Sequence, residues 1–239
     1  CFGTRKKLFT KIICMKKETY SAYFVLIAML FVAVLLISNI AAVKIISVGP
    51  LSLDGGNFLF PLSYIFWDVL TEVYGYRASR KIIWGGFAAL ILMSASFYIV
   101  QILPSSSFWE NQKAFESILG LVPRITLGSI LGYFSGEFCN SYVLSKMKIW
   151  FQWKHLWIRT IGSTIAGEWV DTVIFMLVAF YGVFPAWELL VMSITTYFVK
   201  VGIEVLCTPI TYFVVSKIKK AEGIDVYDNG VKYNLFSLS

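Results

Sequence analysis

The chain has 239 residues, of which 58% are hydrophobic and only 15% are charged. Ordinary soluble domains carry about 25% charged residues, so this composition excludes a soluble globular class and indicates a protein that crosses the membrane several times. The net charge of +7 does not indicate nucleic-acid binding, because no predicted soluble domain is long enough to hold a basic face.

Hydropathy predicts six membrane-spanning helices, since each crossing needs about 20 apolar residues. The predicted spans are residues 22–47, 57–75, 82–103, 119–146, 157–183 and 187–216. The predicted fold class is therefore an all-α membrane protein, a bundle of six transmembrane helices. This transmembrane domain, residues 21–217, lies between a basic N-terminal segment, residues 1–20, and a C-terminal tail, residues 218–239.

Positive charges concentrate at both ends of the chain and in alternate loops. Lysine and arginine residues lie before the first span, between the second and third, between the fourth and fifth, and after the sixth. Under the positive-inside rule, this pattern places both termini in the cytoplasm.

The second span has the least regular sequence. It follows Asp54-Gly55-Gly56-Asn57, contains Pro61 near its start, and ends at Tyr74-Gly75. Two interpretations stay open. The segment is a broken or re-entrant helix whose backbone faces a substrate, or it begins with a loop-borne turn that has Pro at its first positions.

Polar residues three or four positions apart recur on four of the spans, and this spacing puts each pair on one helical face. The pairs are Asp68 and Glu72, Glu137 and Asn140, Glu168 and Asp171, and Lys200 and Glu204. A charged group inside the bilayer costs about 2.5 to 3.5 kcal/mol on insertion scales. We therefore expect these faces to turn inward, toward partners or water.

Two of these pairs belong to a repeated phrase. Residues 136–144 begin Gly-Glu and have Asn at the fifth position, and residues 167–175 begin Gly-Glu and have Asp at the fifth position. The two spans run in opposite directions in the predicted topology, so the relation is predicted to be an inverted one. Transporter sites lie at the interfaces of such repeats.

The polar residues within the predicted spans include more acids than bases. The carboxylates are Asp68, Glu72, Glu137, Glu168, Asp171 and Glu204, and the bases are Lys44, Arg124 and Lys200. Mutual ion pairs explain only part of the set, and the remaining acid must bind a proton or a ligand. We expect Lys200 and Glu204 to pair within their helix, and the acids of the repeat to contact a ligand or a proton.

Aromatic residues beside these acids are candidates for stacking on a planar ligand. Tyr64 lies one turn before Asp68 and shares its helical face, so it is the predicted stacking residue. Trp67 is adjacent to Asp68 and is therefore predicted to project from another face of the helix.

Several stretches resemble one family. Phe60–Tyr64, the phrase Asp-x-x-x-Glu-x-Tyr-Gly at residues 68–75, and the basic residues 77–81 resemble the signature of the queuosine precursor transporters, also called the vitamin uptake transporter family. Further similar positions follow in the same order along the chain: Ser38-Asn39, Lys44, residues 156–159, Ser163, Asp171-Thr172, Phe175, Lys200, Thr208-Pro209 and residues 222–228.

The resemblance implies a six-helix inner-membrane protein that imports 7-deazaguanine bases for queuosine synthesis in tRNA. The implied substrate is queuine or its cyano or aminomethyl precursor. Glu137 and Glu168 stand where Gln is usual in the family, and Asn140 where Asp is usual, so the extra acid is suited to a more cationic base. The expected partners are this nucleobase and the lipid bilayer, with a homodimer as a further candidate and no nucleic acid.

The predicted substrate-binding residues are Asn39, Lys44, Tyr64, Asp68, Glu72, Glu137, Asn140, Glu168, Asp171 and Lys200. A carboxylate accepts from adjacent N–H donors, so Glu137 or Glu168 is assigned to the base edge and Asp68 or Asp171 to an amine. Asn39 and Asn140 are assigned to a carbonyl or ring nitrogen. No catalytic residue, metal or cofactor is predicted.

Two other functions stay open. The chain is a substrate-binding membrane subunit of an energy-coupling vitamin transporter, or it is a proton-coupled carrier of another small cationic or aromatic metabolite. The sequence contains no nucleotide-binding motif, so ATP is not expected to supply energy within this chain. An enzyme is not expected, because the sequence has no Gly-x-Ser-x-Gly or His-Glu-x-x-His motif.

Overall fold

The computed structural model describes residues 21–49, 51–150 and 156–224. The helices are α1 (Ala22–Ala41), α2 (Phe60–Tyr74), α3 (Tyr76–Ile102), α4 (Gln112–Leu119), α5 (Val122–Trp150), α6 (Leu156–Phe180) and α7 (Ala186–Glu222). Between α1 and α2 lie strands β1 (Ile45–Val48) and β2 (Leu51–Asp54) and a 3-10 turn (Gly55–Phe58). The predicted N-terminal segment and residues 225–239 of the tail lie outside the described residues.

Five helical segments in the described part of the chain are long and apolar enough to cross a bilayer: α1, α3, α4 together with the start of α5, the part of α6 from Gly162, and α7. This confirms an all-α membrane protein that crosses the membrane several times. The predicted second span is the short helix α2, whose 15 residues extend only about 22 Å. Pro61 lies in its first turn, where a missing N–H is tolerated.

The first span differs from the prediction because α1 ends at Ala41, not at residue 47. The chain then forms the antiparallel hairpin β1–β2, in which Ile45 pairs with Asp54 and Val48 pairs with Leu51. The β-branched residues of β1 favour an extended strand. Gly49 has a φ of 62° at the first position of the two-residue loop, a backbone angle that hairpin loops require and that glycine adopts readily.

The 3-10 turn packs directly against the end of α1. A Cβ atom at Gly55 would lie 2.5 Å from the Ala41 carbonyl oxygen, and one at Gly56 would lie 2.7 Å from the Ser38 carbonyl oxygen. Only glycine permits this approach of two backbones. The close contact brings Asp54 and Asn57, which flank the two glycines, to the C-terminal end of α1.

Large apolar side chains cover the outward faces of the helices. Leu92, Phe198 and Leu206 are 69%, 67% and 74% exposed, as expected for side chains that contact lipid rather than water. The 37-residue helix α7 extends about 55 Å, which exceeds the membrane core of about 30 Å. Its last turns therefore continue beyond the membrane core.

Candidate substrate-binding site

The repeated phrases meet where α5 crosses α6. A Cβ atom at Gly136 would lie 2.9 Å from the Gly167 carbonyl oxygen and 2.9 Å from Asp171 Cβ. A Cβ atom at Gly167 would lie 2.9 Å from the Gly136 carbonyl oxygen and 2.9 Å from Asn140 Cβ. Because Asn140 and Asp171 hold the same place in the two phrases, the contacts are reciprocal. The helices are antiparallel, so the predicted inverted relation is confirmed for these residues.

The two phrases border a cavity of about 300 Å³ between the helices. This volume lies within the range of small-molecule sites. Helices α1, α2, α3, α5, α6 and α7 contribute side chains to it, together with strand β2 and the 3-10 turn. Seven of the predicted substrate-binding residues line it: Asn39, Asp68, Glu137, Asn140, Glu168, Asp171 and Lys200.

Aromatic and apolar side chains form part of the cavity lining. We call Phe31 on α1, Trp67 on α2 and Phe87 on α3 the aromatic wall, since all three line the cavity. The rings of Phe31 and Trp67 lie 6.4 Å apart, centroid to centroid. Tyr133 on α5 also lines the cavity, and its ring lies 5.3 Å from that of Phe87.

Acidic side chains form another part of the lining, and we call Glu137, Glu168, Asp171 and Glu204 the acidic wall. Asp54 and Asp68 also line the cavity. Among the described residues, the lining therefore contains six carboxylates and one lysine, Lys200. The carboxylates of Glu137, Glu168 and Asp171 are close enough for their charges to interact. The excess of acid predicted from the sequence is therefore larger inside the cavity than the sequence count indicates.

Lys200 pairs across helices. Its Nζ lies 2.6 Å from Asp171 Oδ2 and 3.8 Å from Glu168 Oε2, and the side chain is only 7% exposed. The predicted pairing with Glu204 on the same helix is corrected by these contacts. A lysine that precedes its glutamate by four residues has the less favourable orientation for a pair within a helix, whereas α6 presents two acids to the same amine.

The other two predicted bases do not neutralise cavity acids. Arg124 donates to the backbone carbonyl oxygens of Val178 and Tyr181, at 3.1 and 2.8 Å, and so stabilises the negative end of α6. Lys44 follows the end of α1 and is exposed, and it does not line the cavity. Lys44 was predicted to lie within the first span, but α1 ends at Ala41 and the hairpin follows.

Glu72 is not among the described residues that line the cavity. Glu72 is 65% exposed and lies 3.4 Å from Lys219 near the end of α7, so it takes part in a surface ion pair. Asp68, one turn earlier on α2, does line the cavity. The side chain of Tyr64 lies outside the part of the chain that the structure describes, and its stacking role stays a prediction.

The two predicted asparagines differ in their bonding. Asn39 is 4% exposed; its Nδ2 donates to the Leu35 carbonyl oxygen at 2.9 Å, and its Oδ1 accepts from Ser129 Oγ at 2.8 Å. The Asn140 Oδ1 atom is buried and has no hydrogen-bond partner within the described part of the chain. Asn140 therefore offers an acceptor to a ligand, while Asn39 mainly ties α1 to α5.

A small polar network lies at the hairpin end of the cavity. Asp54, 3% exposed, accepts hydrogen bonds from the Gly56 N–H at 3.0 Å and from Asn57 Nδ2. Asn57 Nδ2 also lies 3.5 Å from Thr196 Oγ1 on α7. Burial raises the pKa of Asp54 to about 6, and the nearby charge of Lys200 opposes that rise.

Sequence reasoning missed several residues that line the cavity. Trp67 was predicted to project away from Asp68, yet both border the cavity, because adjacent helical residues differ by only about 100° and the cavity is wide. Tyr133 lies one turn before Glu137, a spacing that would have identified it. Asp54 is not among the predicted substrate-binding residues, because it lies in the Asp-Gly-Gly-Asn phrase at the start of the predicted second span and not on a helical face.

The family and the proteins that this chain is similar to are named as transporters. The family described as "Putative vitamin uptake transporter" matches residues 54–214. A Bacillus subtilis protein named "Probable queuosine precursor transporter" is 33% identical over 176 residues, which cover 73% of this chain and 77% of that protein. An Escherichia coli "Queuosine precursor transporter" is 25% identical over 126 residues, covering 53% of this chain and 54% of that protein.

No solved structure matches the chain significantly. The family match nevertheless spans more than half of the chain and includes the cavity residues from Asp54 to Glu204. The resemblance noted in the sequence is thereby confirmed. The chain belongs to the vitamin uptake transporter family.

Proposed function

We propose that this chain imports a 7-deazaguanine precursor of queuosine, either queuine or the cyano or aminomethyl precursor, across the bacterial inner membrane. The observation that carries the proposal is a cavity lined both by the aromatic wall and by the acidic wall. The names of the Bacillus subtilis and Escherichia coli relatives support the same substrate class.

The two walls suit the two chemical surfaces of such a base. A planar heterocycle has an apolar face that stacks on aromatic rings, and the guanine-like edge carries adjacent N–H and NH₂ donors. A carboxylate accepts from two such donors at once. In the proposed pose, the base face lies on the aromatic wall, while Glu137 or Glu168 accepts from the edge and Asn140 Oδ1 accepts from a further donor.

An amine on the base requires a further acid. Asp68 and Asp171 both line the cavity and are the proposed partners of the ammonium group of queuine or of the aminomethyl precursor. The cyano precursor lacks this charge and forgoes the contact. The excess of carboxylates over lysine in the cavity therefore favours the cationic bases.

The proposed topology assigns the two ends of the cavity to the two sides of the membrane. With both termini in the cytoplasm, the hairpin and the 3-10 turn lie at the external end of the cavity. Asp54 and Asn57 are buried at this end, whereas Asp68 is exposed. This difference suits a cavity that is closed at the hairpin in the conformation described.

Competition between labelled and unlabelled bases tests the proposed substrate class. Cells that cannot make the base and that express the chain should accumulate labelled queuine. Unlabelled cyano or aminomethyl precursor should reduce that accumulation, and guanine should compete less well because it lacks the side group. Equal competition by guanine, or no accumulation over cells without the chain, would contradict the proposal.

Replacing Trp67 tests the aromatic wall. Trp67→Ala removes a ring on which the base stacks, and base–aromatic stacking is worth about 1–3 kcal/mol, so we expect roughly a fivefold or greater loss of affinity. Trp67→Phe should retain most of the affinity. Equilibrium binding of labelled base to the purified protein measures both effects.

Trp169 provides the matched control for this experiment. It is adjacent to Glu168 in the repeat, is 42% exposed, and does not line the cavity. Trp169→Ala should bind the base as the wild-type protein does. If Trp67→Ala also binds normally, the base does not stack on the aromatic wall.

A further inference from the structure

Lys200 is surrounded by acids from two elements that border the cavity. Asp171 and Glu168, both on α6, lie 2.6 and 3.8 Å from its Nζ. The charge of Lys200 also acts on Asp54, at the end of β2. The amine thus lies between the acidic wall and the hairpin end of the cavity.

Helix α7 carries Lys200 beside the acidic wall and also contacts the polar network at the hairpin end of the cavity. Thr196 lies one turn before Lys200 and therefore on the same helical face. Its Oγ1 lies 3.5 Å from Asn57 Nδ2, and Asn57 donates to the Asp54 carboxylate. The lysine side chain is a long flexible stem with a compact charge, so its amine can turn away from Asp171 while the helix stays in place.

A ligand ammonium that binds Asp171 has to compete with this amine. Two cations cannot share one buried carboxylate without repulsion, and a buried charge that loses its partner is strongly destabilised. Lys200 must therefore find another acid when a cationic base binds. Asp54 is already within range of its charge and is 3% exposed, so it can accept the amine without exposure to water.

We propose that Lys200 is an internal competitor that sets the selectivity of the cavity between cationic and neutral bases, and that Asp54 receives its amine when a cationic base occupies Asp171. This inference rests on the proposed function, because it assumes that a deazaguanine base binds in the cavity. Lys200 acts on the ligand through Asp171 and is in this respect a positioning residue, not a ligand contact.

Binding of two bases to purified protein tests the inference. The aminomethyl precursor is a cation near neutral pH, as primary amines are, and the cyano precursor is neutral. Lys200→Gln removes the competitor and should tighten binding of the aminomethyl base about tenfold. Binding of the cyano base should stay unchanged. Lys200→Arg, which keeps the charge, should preserve the wild-type selectivity.

Asp54→Asn provides a second variant in case Lys200→Gln does not fold. It removes the acid that receives the amine, so it should weaken binding of the aminomethyl base and leave the cyano base unaffected. Where Lys200→Gln does fold, the effect of Asp54→Asn should disappear in the double variant of the two, because no displaced amine remains. If Asp54 contacted the ligand directly, its effect would persist in the double variant.

Lys219→Gln is the matched control, since Lys219 lies on the same helix as Lys200 but forms an ion pair with Glu72 of α2 and does not line the cavity. It should change neither affinity. Weaker binding of the aminomethyl base in Lys200→Gln, or equal changes for both bases, would overturn the inference. If the wild-type protein binds neither base, the proposed function fails instead.

Discussion

Asp171→Asn is expected to reduce uptake of the aminomethyl base to the level of cells without the transporter. Asp171 is the acid nearest to Lys200, at 2.6 Å, and it lines the cavity. The variant loses the carboxylate that is proposed to bind the ligand amine. Removing one partner of such a buried charge pair between protein and ligand costs about 2–5 kcal/mol, which corresponds to roughly 30-fold or more in affinity.

The measurement is uptake of labelled base by cells that cannot make it, with the amount of protein in the membrane determined in parallel. Membrane abundance should remain close to that of the wild type, because the Asn side chain has the same shape. Glu72→Gln is the control, since Glu72 is 65% exposed and pairs with Lys219. It should transport normally. Near-normal transport by Asp171→Asn would remove this residue from the site.

Alanine at Gly136 or at Gly167 is expected to lower the stability of the protein markedly. A Cβ atom at either position would lie 2.9 Å from a backbone carbonyl oxygen of the facing helix, a distance that side-chain movement cannot relieve. The helices would have to separate, and overpacking of this kind costs about 1–3 kcal/mol. Since α5 and α6 both border the cavity, ligand binding should weaken as well.

Two other helical glycines provide the controls. A Cβ atom at Gly85 in α3 or at Gly202 in α7 would meet nothing within 4 Å. Alanine at these positions should leave stability unchanged or raise it slightly, because alanine favours helix by up to about 1 kcal/mol over glycine. Thermal unfolding of the four variants in one detergent gives the comparison. Equal unfolding temperatures for all four would show that the crossing of α5 and α6 is not tightly packed.

Hydropathy and charge predicted the membrane class and the approximate position of most helices, because these depend on composition averaged over many residues. The hairpin at residues 45–54 was missed. Its first strand, Ile45–Val48, extends the apolar run of α1, and a span window does not distinguish the two. The β-branched residues and Gly49 were the available signals, and they were outweighed by hydrophobicity.

The candidate site was predicted best where a local pattern coincided with the packing. The repeated phrases identified Glu137, Asn140, Glu168 and Asp171, all of which line the cavity. The partner of Lys200 was predicted wrongly, since that contact joins α7 to α6 and no spacing along the chain encodes it. Lys44 lies outside the cavity lining for a related reason, because its place depends on where α1 ends.

The repeat has a clearer physical meaning in the structure than in the sequence. Its two glycines allow the helices to touch, and its polar residues then lie at the crossing, beside the cavity. The two halves are unequal in charge. Asp171 is paired with Lys200, whereas the equivalent Asn140 has an acceptor atom without a partner among the described residues.

Uptake by liposomes that contain only the purified chain tests the central claim most directly. We expect labelled queuine or its aminomethyl precursor to accumulate inside these liposomes above the level in protein-free liposomes, without any ATPase, and Asp171→Asn to abolish the difference. Binding without uptake would indicate a substrate-binding subunit that needs an energy-coupling partner. If the wild-type protein neither accumulates nor binds either base, the cavity is not a deazaguanine site.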